Sequence, residues 1–151
     1  MGHSAGAGIV SLLATDPTYL RQAGVSPSLI KGFISNDTGA YDVAFQINHG
    51  TETSRRMYRR AFGTDPSRWS LASPLTHALK SGNRPPAALI ITRGWSGRRA
   101  MADAFAAALK GAGGEARLLD ARGLSHREVN KVTRAPIARA ILNFLEATLG
   151  P

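Results

Sequence analysis

Three short apolar runs, set apart by helix-sized stretches, place the tightest limit on how this chain can fold. "LIKGFIS" (29–35), "AALIIT" (87–92) and the alternating "EARLLDA" (115–121) have strand length and strand composition. The segments between them carry a helical period. Residues 98–110 put Met101, Phe105, Ala108 and Leu109 on one face, and the helix is expected to stop at Gly111 and Gly113. "SAGAGIVSLLAT" is small and apolar at helical spacing until Asp16-Pro17 blocks it, and "APIARAILNFLEATL" closes the chain as an amphipathic helix. Strands alternating with helices imply βαβ units and a parallel sheet. The expected fold class is therefore α/β, with a short parallel sheet of about three strands flanked by helices. A length of 151 residues with 43% hydrophobic side chains suits one domain over 1–151.

Elsewhere the pattern is weaker. Residues 51–62 read as a polar-faced helix, 63–86 as loop-rich, and Asn48-His49-Gly50 as undefined. "SHREVNKV" looks like a helix start capped by Ser125.

Composition removes several kinds of chemistry. With no cysteine, there can be no disulfide framework, thiol nucleophile or thiolate metal site. No pair of histidines has metal-ligand spacing beside a carboxylate, so neither a metal nor a cofactor is expected. No apolar run reaches the roughly 18 to 20 residues that span a bilayer, and no secretory leader is evident, so a cytoplasmic protein without membrane partners is expected. The net charge of +9 raises the question of nucleic acid, and Arg55, Arg56, Arg59 and Arg60 could line one side of a helix. They lack a recognition motif or interleaved aromatic platform, so a solvated helix face is the reading and nucleic-acid binding is not expected.

The stretch that carries chemistry is Gly2-His3-Ser4-Ala5-Gly6, a G-x-S-x-G spacing at the head of the first helix. Such a turn holds a serine at a strained position between strand and helix, with glycines where a Cβ would collide. The helix N-terminus adds positive potential, and the next N–H points at a developing oxyanion. Ser4 would then be a nucleophile and Ala5 an oxyanion donor. Taken alone, the spacing also arises in glycine- and serine-rich loops.

"GHSAGAGIVSLLATDPTYL", "IKGFISNDTGAYD", "FGTDPSRWSLASPL" and "FAAALKGAGGEARLLDARGLSHREVN" follow in an order that resembles the α/β-hydrolase superfamily, in its esterase and kynurenine-formamidase-like branch. The strongest elements are the elbow, Tyr41-Asp42, Ser73-Pro74-Leu75 and His126 before the last helix. The resemblance implies a partial α/β-hydrolase fold and acyl transfer, with Ser4 as nucleophile and His126 as general base. The implied substrate is a small ester or amide, as for a carboxylesterase or arylformamidase. It also implies that the chain corresponds to the C-terminal half of such a fold, beginning at the elbow without the strand that leads into Gly2 and without the His-Gly-Gly loop.

The family's acid normally lies a few residues beyond the strand read here as "AALIIT". That position falls near Gly97, in "TRGWSGRRAMAD", and Asp103 comes too late. Asp37, one strand earlier, is the substitute, with Asp42 behind it; both could equally be turn carboxylates that cap backbone N–H groups. Asp120 ends the strand whose following loop already supplies the base. His3, His49, His77, Trp69 and Trp95 are read as packing or structural residues. A second reading is a non-catalytic α/β remnant that associates along an exposed sheet edge, with another copy or a complementing chain.

Overall fold

A computed structural model describes residues 1–80, 82, 84–94, 96–131 and 135–150. Its centre is a four-stranded, all-parallel sheet in the order β1-β2-β3-β4, formed by Gly2–His3, Gly32–Asn36, Ala87–Thr92 and Ala116–Asp120. The expected α/β class and flanked parallel sheet are found. One strand is added: Gly2–His3, too short for any periodicity to reveal, pairs with Ser35 and Asn36.

The helices are α1 (Ala5–Thr15), α2 (Thr18–Gln22), α3 (Val43–His49), α4 (Glu52–Phe62), α5 (Pro66–Leu71), α6 (Pro74–Lys80), α7 (Ser96–Gly111) and α8 (Ala135–Leu149). Thus α3 runs into the Asn48-His49-Gly50 stretch read as undefined, and α5 and α6 lie within 63–86, read as loop-rich. Asp42 and Asp65 cap two of them, accepting from the Phe45 and Ser67 amides at 2.9 Å each. In "SHREVNKV" the cap is real, since Ser125 N–H donates to Glu128 and Glu128 N–H returns to Ser125, but a single turn follows rather than a helix.

The strands alternate between two apolar layers. Phe33, Ala88, Ile90 and Ala116 face Met101, Phe105 and Leu109 of α7, with Val10 and Ala14 of α1 beside them. Ile34, Leu89 and Ile91 face Ile137 and Phe144 of α8. Covering both faces explains why β3 is a nearly continuous apolar run and why four of the five residues of β2 are buried. Gly32 lets α8 lie against β2, because a Cβ there would come within 2.7 Å of Thr148 Cγ2. A buried polar chain holds α1 to the sheet: Ser11 Oγ donates to Ser35 Oγ at 3.2 Å, and Ser35 Oγ lies 2.7 Å from the Tyr41 hydroxyl. No described helix is long and apolar enough to cross a membrane.

Candidate active site

All four strands run in one direction, so their C-terminal ends open on one edge of the sheet, and three of them deliver the site. Between β1 and α1, Ser4 sits at φ 56°, ψ −119°, a left-handed conformation for a residue with a side chain. Gly2 makes the turn feasible: a Cβ there would overlap the Gly6 carbonyl. Gly6 departs from expectation, since a Cβ on it would meet no described atom within 4 Å. The close approach falls instead at Gly8, where a Cβ would lie 2.9 Å from that of Ala40. Ser4 N–H donates to the Asn36 carbonyl at 2.9 Å, pinning the elbow to the end of β2.

Asp37 follows β2 and is the second non-glycine residue at positive φ, 51°. Its amide donates to the Ile91 carbonyl of β3 at 2.8 Å, and its carboxylate is fully buried. His126 hangs from the loop after β4. Its Nε2 lies 3.0 Å from Ser4 Oγ and its Nδ1 lies 2.6 Å from Asp37 Oδ2. The residues read from the sequence as nucleophile, base and substitute acid therefore form one hydrogen-bonded line. With Nδ1–H donating to the carboxylate, Nε2 is left as the acceptor for the Ser4 hydroxyl.

The loop carrying the base is fastened on two sides. His3 Nε2 donates to the His126 carbonyl at 2.9 Å, and the two rings lie 4.4 Å apart. Asn36 Nδ2 donates to the Val129 carbonyl at 2.9 Å. His3, read as a packing residue, thus has a polar task as well. Burial, and then the neighbouring His126 ring, hold it below the usual histidine range, so it adds no second cation beside the base at neutral pH.

Burial pushes the Asp37 carboxyl up, but hydrogen bonds from His126 and Arg93 and the charge of Arg98 outweigh it and leave the group below the ordinary carboxylate range. Arg93 Nε donates to Oδ2 at 2.5 Å; Arg98 Nη1 donates to the Asp37 carbonyl at 3.1 Å and lies 3.5 Å from Oδ1. The other carboxylates are engaged elsewhere. Asp42 caps α3, Asp103 pairs with Arg99, and Asp120 is held by Arg99 and Arg122. His77 and His49 make local contacts, with the Leu71 carbonyl and the Phe45 ring. Trp69 donates to the Gly63 carbonyl and packs beside Val43, Ile47 and Tyr58. Trp95 lies outside the described residues.

Sequence reasoning missed Asn36, Arg93 and Arg98. The only signal for them is position: Arg93 directly follows β3, just before the stretch where the family's acid is expected.

Beside Ser4 opens a cavity of about 360 Å³, its lining mostly apolar, with Ile9 and Leu12 from α1 and Met57, Ala61 and Phe62 from α4. Ser4 and Ala5 form part of its wall. The Ala5 amide is the first of α1, among the donors a helix cannot satisfy internally. Among the described residues, no three His, Asp or Glu side chains are placed to hold a metal.

This architecture is an α/β fold that matches one half of solved esterase structures. A thermostable esterase from Pseudomonas putida ECU1011 matches with a TM-score of 0.67 at 19% identity, over 99% of this chain and 50% of that one. A mutant of the esterase rPPE matches with the same TM-score and coverage at 20% identity, and another, complexed with (S)-Ac-CPA, at 19%. The chain spans half the length of these esterases. No family model and no curated protein matches the sequence.

Proposed function

We propose that this chain carries the nucleophile, base and acid of a serine hydrolase of carboxylesterase or arylformamidase type, cleaving a small ester or amide through an acyl-enzyme. The observation that supports it is the line Ser4 Oγ to His126 Nε2 at 3.0 Å and His126 Nδ1 to Asp37 Oδ2 at 2.6 Å, starting from a left-handed serine. Ser4 Oγ attacks the carbonyl carbon while His126 Nε2 takes its proton. The carbonyl oxygen becomes the oxyanion, facing the Ala5 N–H and the positive end of α1. His126 passes the proton to the departing alcohol or amine, and the reverse sequence with water frees the acid and restores Ser4. The apolar cavity fits an uncharged substrate group, because the two charged side chains in its described lining, Asp37 and Arg98, face each other.

A fluorophosphonate probe tests this. Ser4 should be labelled, the Ser4→Ala variant should not, and hydrolysis of short p-nitrophenyl esters should fall by on the order of 10⁶ in that variant. A folded chain that takes up no probe defeats the reading.

One observation favours a second reading, association through the sheet edge: β1 pairs with β2 alone among the described strands. Light scattering on a gel-filtration column tests it. A monomer at every concentration removes self-association through that edge.

A further inference from the structure

Asp37 is buried without exposure and reaches the base through one oxygen only. Oδ2 receives both His126 Nδ1 and Arg93 Nε, whereas Oδ1 accepts no hydrogen bond among the described residues and has Arg98 Nη1 at 3.5 Å. To take the Ser4 proton, Nε2 of the base needs a free lone pair, and an imidazole in that form cannot balance the carboxylate's charge. An unbalanced buried carboxylate is held at a penalty, or else it takes up a proton. A protonated Asp37 could not stabilise the imidazolium that forms as Ser4 attacks. The balancing charge has to come from elsewhere, and it comes from the tip of the neighbouring strand. Arg93 leaves β3 one strand over from Asp37, its side chain is only 11% exposed, and its Nε reaches the oxygen that faces the base.

We propose that Arg93 is the positioning residue of the site: it is the resting-state counter-cation of Asp37 and fixes Oδ2 against His126 Nδ1. The inference rests on the hydrolase reading for its purpose, although the clamp itself can be measured without turnover. Arg93 takes the place near which such a fold was expected to carry the acid, so acid and cation stand on adjacent strand tips. Arg98 from α7 supports the carboxylate from its other side but is a weaker partner, being farther from Oδ1 and more exposed. Among the described residues, other titratable groups near the pair include His126, His3 beyond it on β1, and Tyr41, whose hydroxyl is engaged with Ser35. Asp120, at the end of β4, is occupied by Arg99 and Arg122.

The test is NMR of protein with ¹³C-labelled aspartate, the Asp37 resonance being assigned through Asp37→Asn. In the wild-type chain the Arg93 Nε–H resonance should follow the same titration midpoint as the Asp37 carboxyl. Arg93→Gln should raise that midpoint and slow Ser4 labelling at pH 7 about tenfold or more, whereas Arg93→Lys, which keeps the charge, should restore most of both. An Asp37 midpoint unchanged in Arg93→Gln overturns the proposal, as does a lysine variant that shifts as far as the glutamine one. Should Arg93→Gln fail to fold, the wild-type spectrum decides: an Arg93 Nε–H that ignores the Asp37 titration refutes the clamp. If the linked titration is found but Ser4 takes no probe, the clamp stands and the hydrolase reading fails; normal labelling with unlinked titration has the opposite meaning.

Discussion

Ser4 and Asp37 are the only described residues other than glycine at positive φ, and both sit where a strand ends at the site. Such conformations cost on the order of 1–3 kcal/mol each and persist only when their surroundings over-determine them. For Ser4 the determinant is Gly2, so Gly2→Ala should destabilise the chain by about 1–3 kcal/mol, because a backbone carbonyl cannot swing aside like a side chain. Gly6→Ala, facing open space in the first turn of α1, should leave stability equal or slightly higher. Thermal melts and Ser4 labelling of the two variants check the contrast. For Asp37 the determinant is charge. Its folded carboxyl ionises below the ordinary range, so ionisation adds stability above the unfolded value, about pH 4, and that contribution is lost as pH falls through the lower folded value. Urea midpoints should therefore drop between pH 5 and pH 3, and drop less in Asp37→Asn.

Elements differ in how openly they announce themselves. β2, β3 and β4 are apolar runs bounded by turn residues, α1 ends at a proline, and α7 and α8 are long enough for their period to show. All six were legible, with the ends of β3 unmoved and those of β2 and β4 moved by one to three residues. The helices α3, α5 and α6 span only six or seven residues each, too few for a period, and owe their existence to caps and packing. Asp65-Pro66 was a readable start, a capping residue followed by proline at the first helical position. The site divides the same way. Ser4 announces itself through its local motif; Asp37 was one of two open choices, because only the strand register brings it to His126; Arg93 had no local sign at all. At this scale α4 is the element to probe, since it turns Met57, Ala61 and Phe62 to the cavity and exposes Arg56, Arg59 and Arg60. Ala61→Phe should narrow the cavity and cut kcat/KM for octanoyl relative to acetyl esters about tenfold or more, while Met57→Ala should favour the longer chain; one methylene in an apolar pocket is worth about 1–3 kcal/mol. A series of p-nitrophenyl esters of increasing acyl length provides the check.

Across the whole molecule, the site is spread over residues separated by more than a hundred positions in the chain, and the loop after β4 carries His126 back across the sheet edge to Asp37 after β2 and Ser4 after β1. The segment from 121 to 131 holds no regular element beyond a turn, but its backbone is latched to β1 through His3 and to β2 through Asn36. A stretch stitched down in this way has surrendered the private wandering of an ordinary surface loop. Its amides should trade hydrogen for deuterium at the slow pace of the strands, and Asn36→Ala should quicken the exchange at Val129 while leaving β3 at its native pace. The imidazole, then, is no swinging arm that must find its partners at every turnover; it is riveted to the plate that carries them, and it comes loose only when the plate itself begins to buckle.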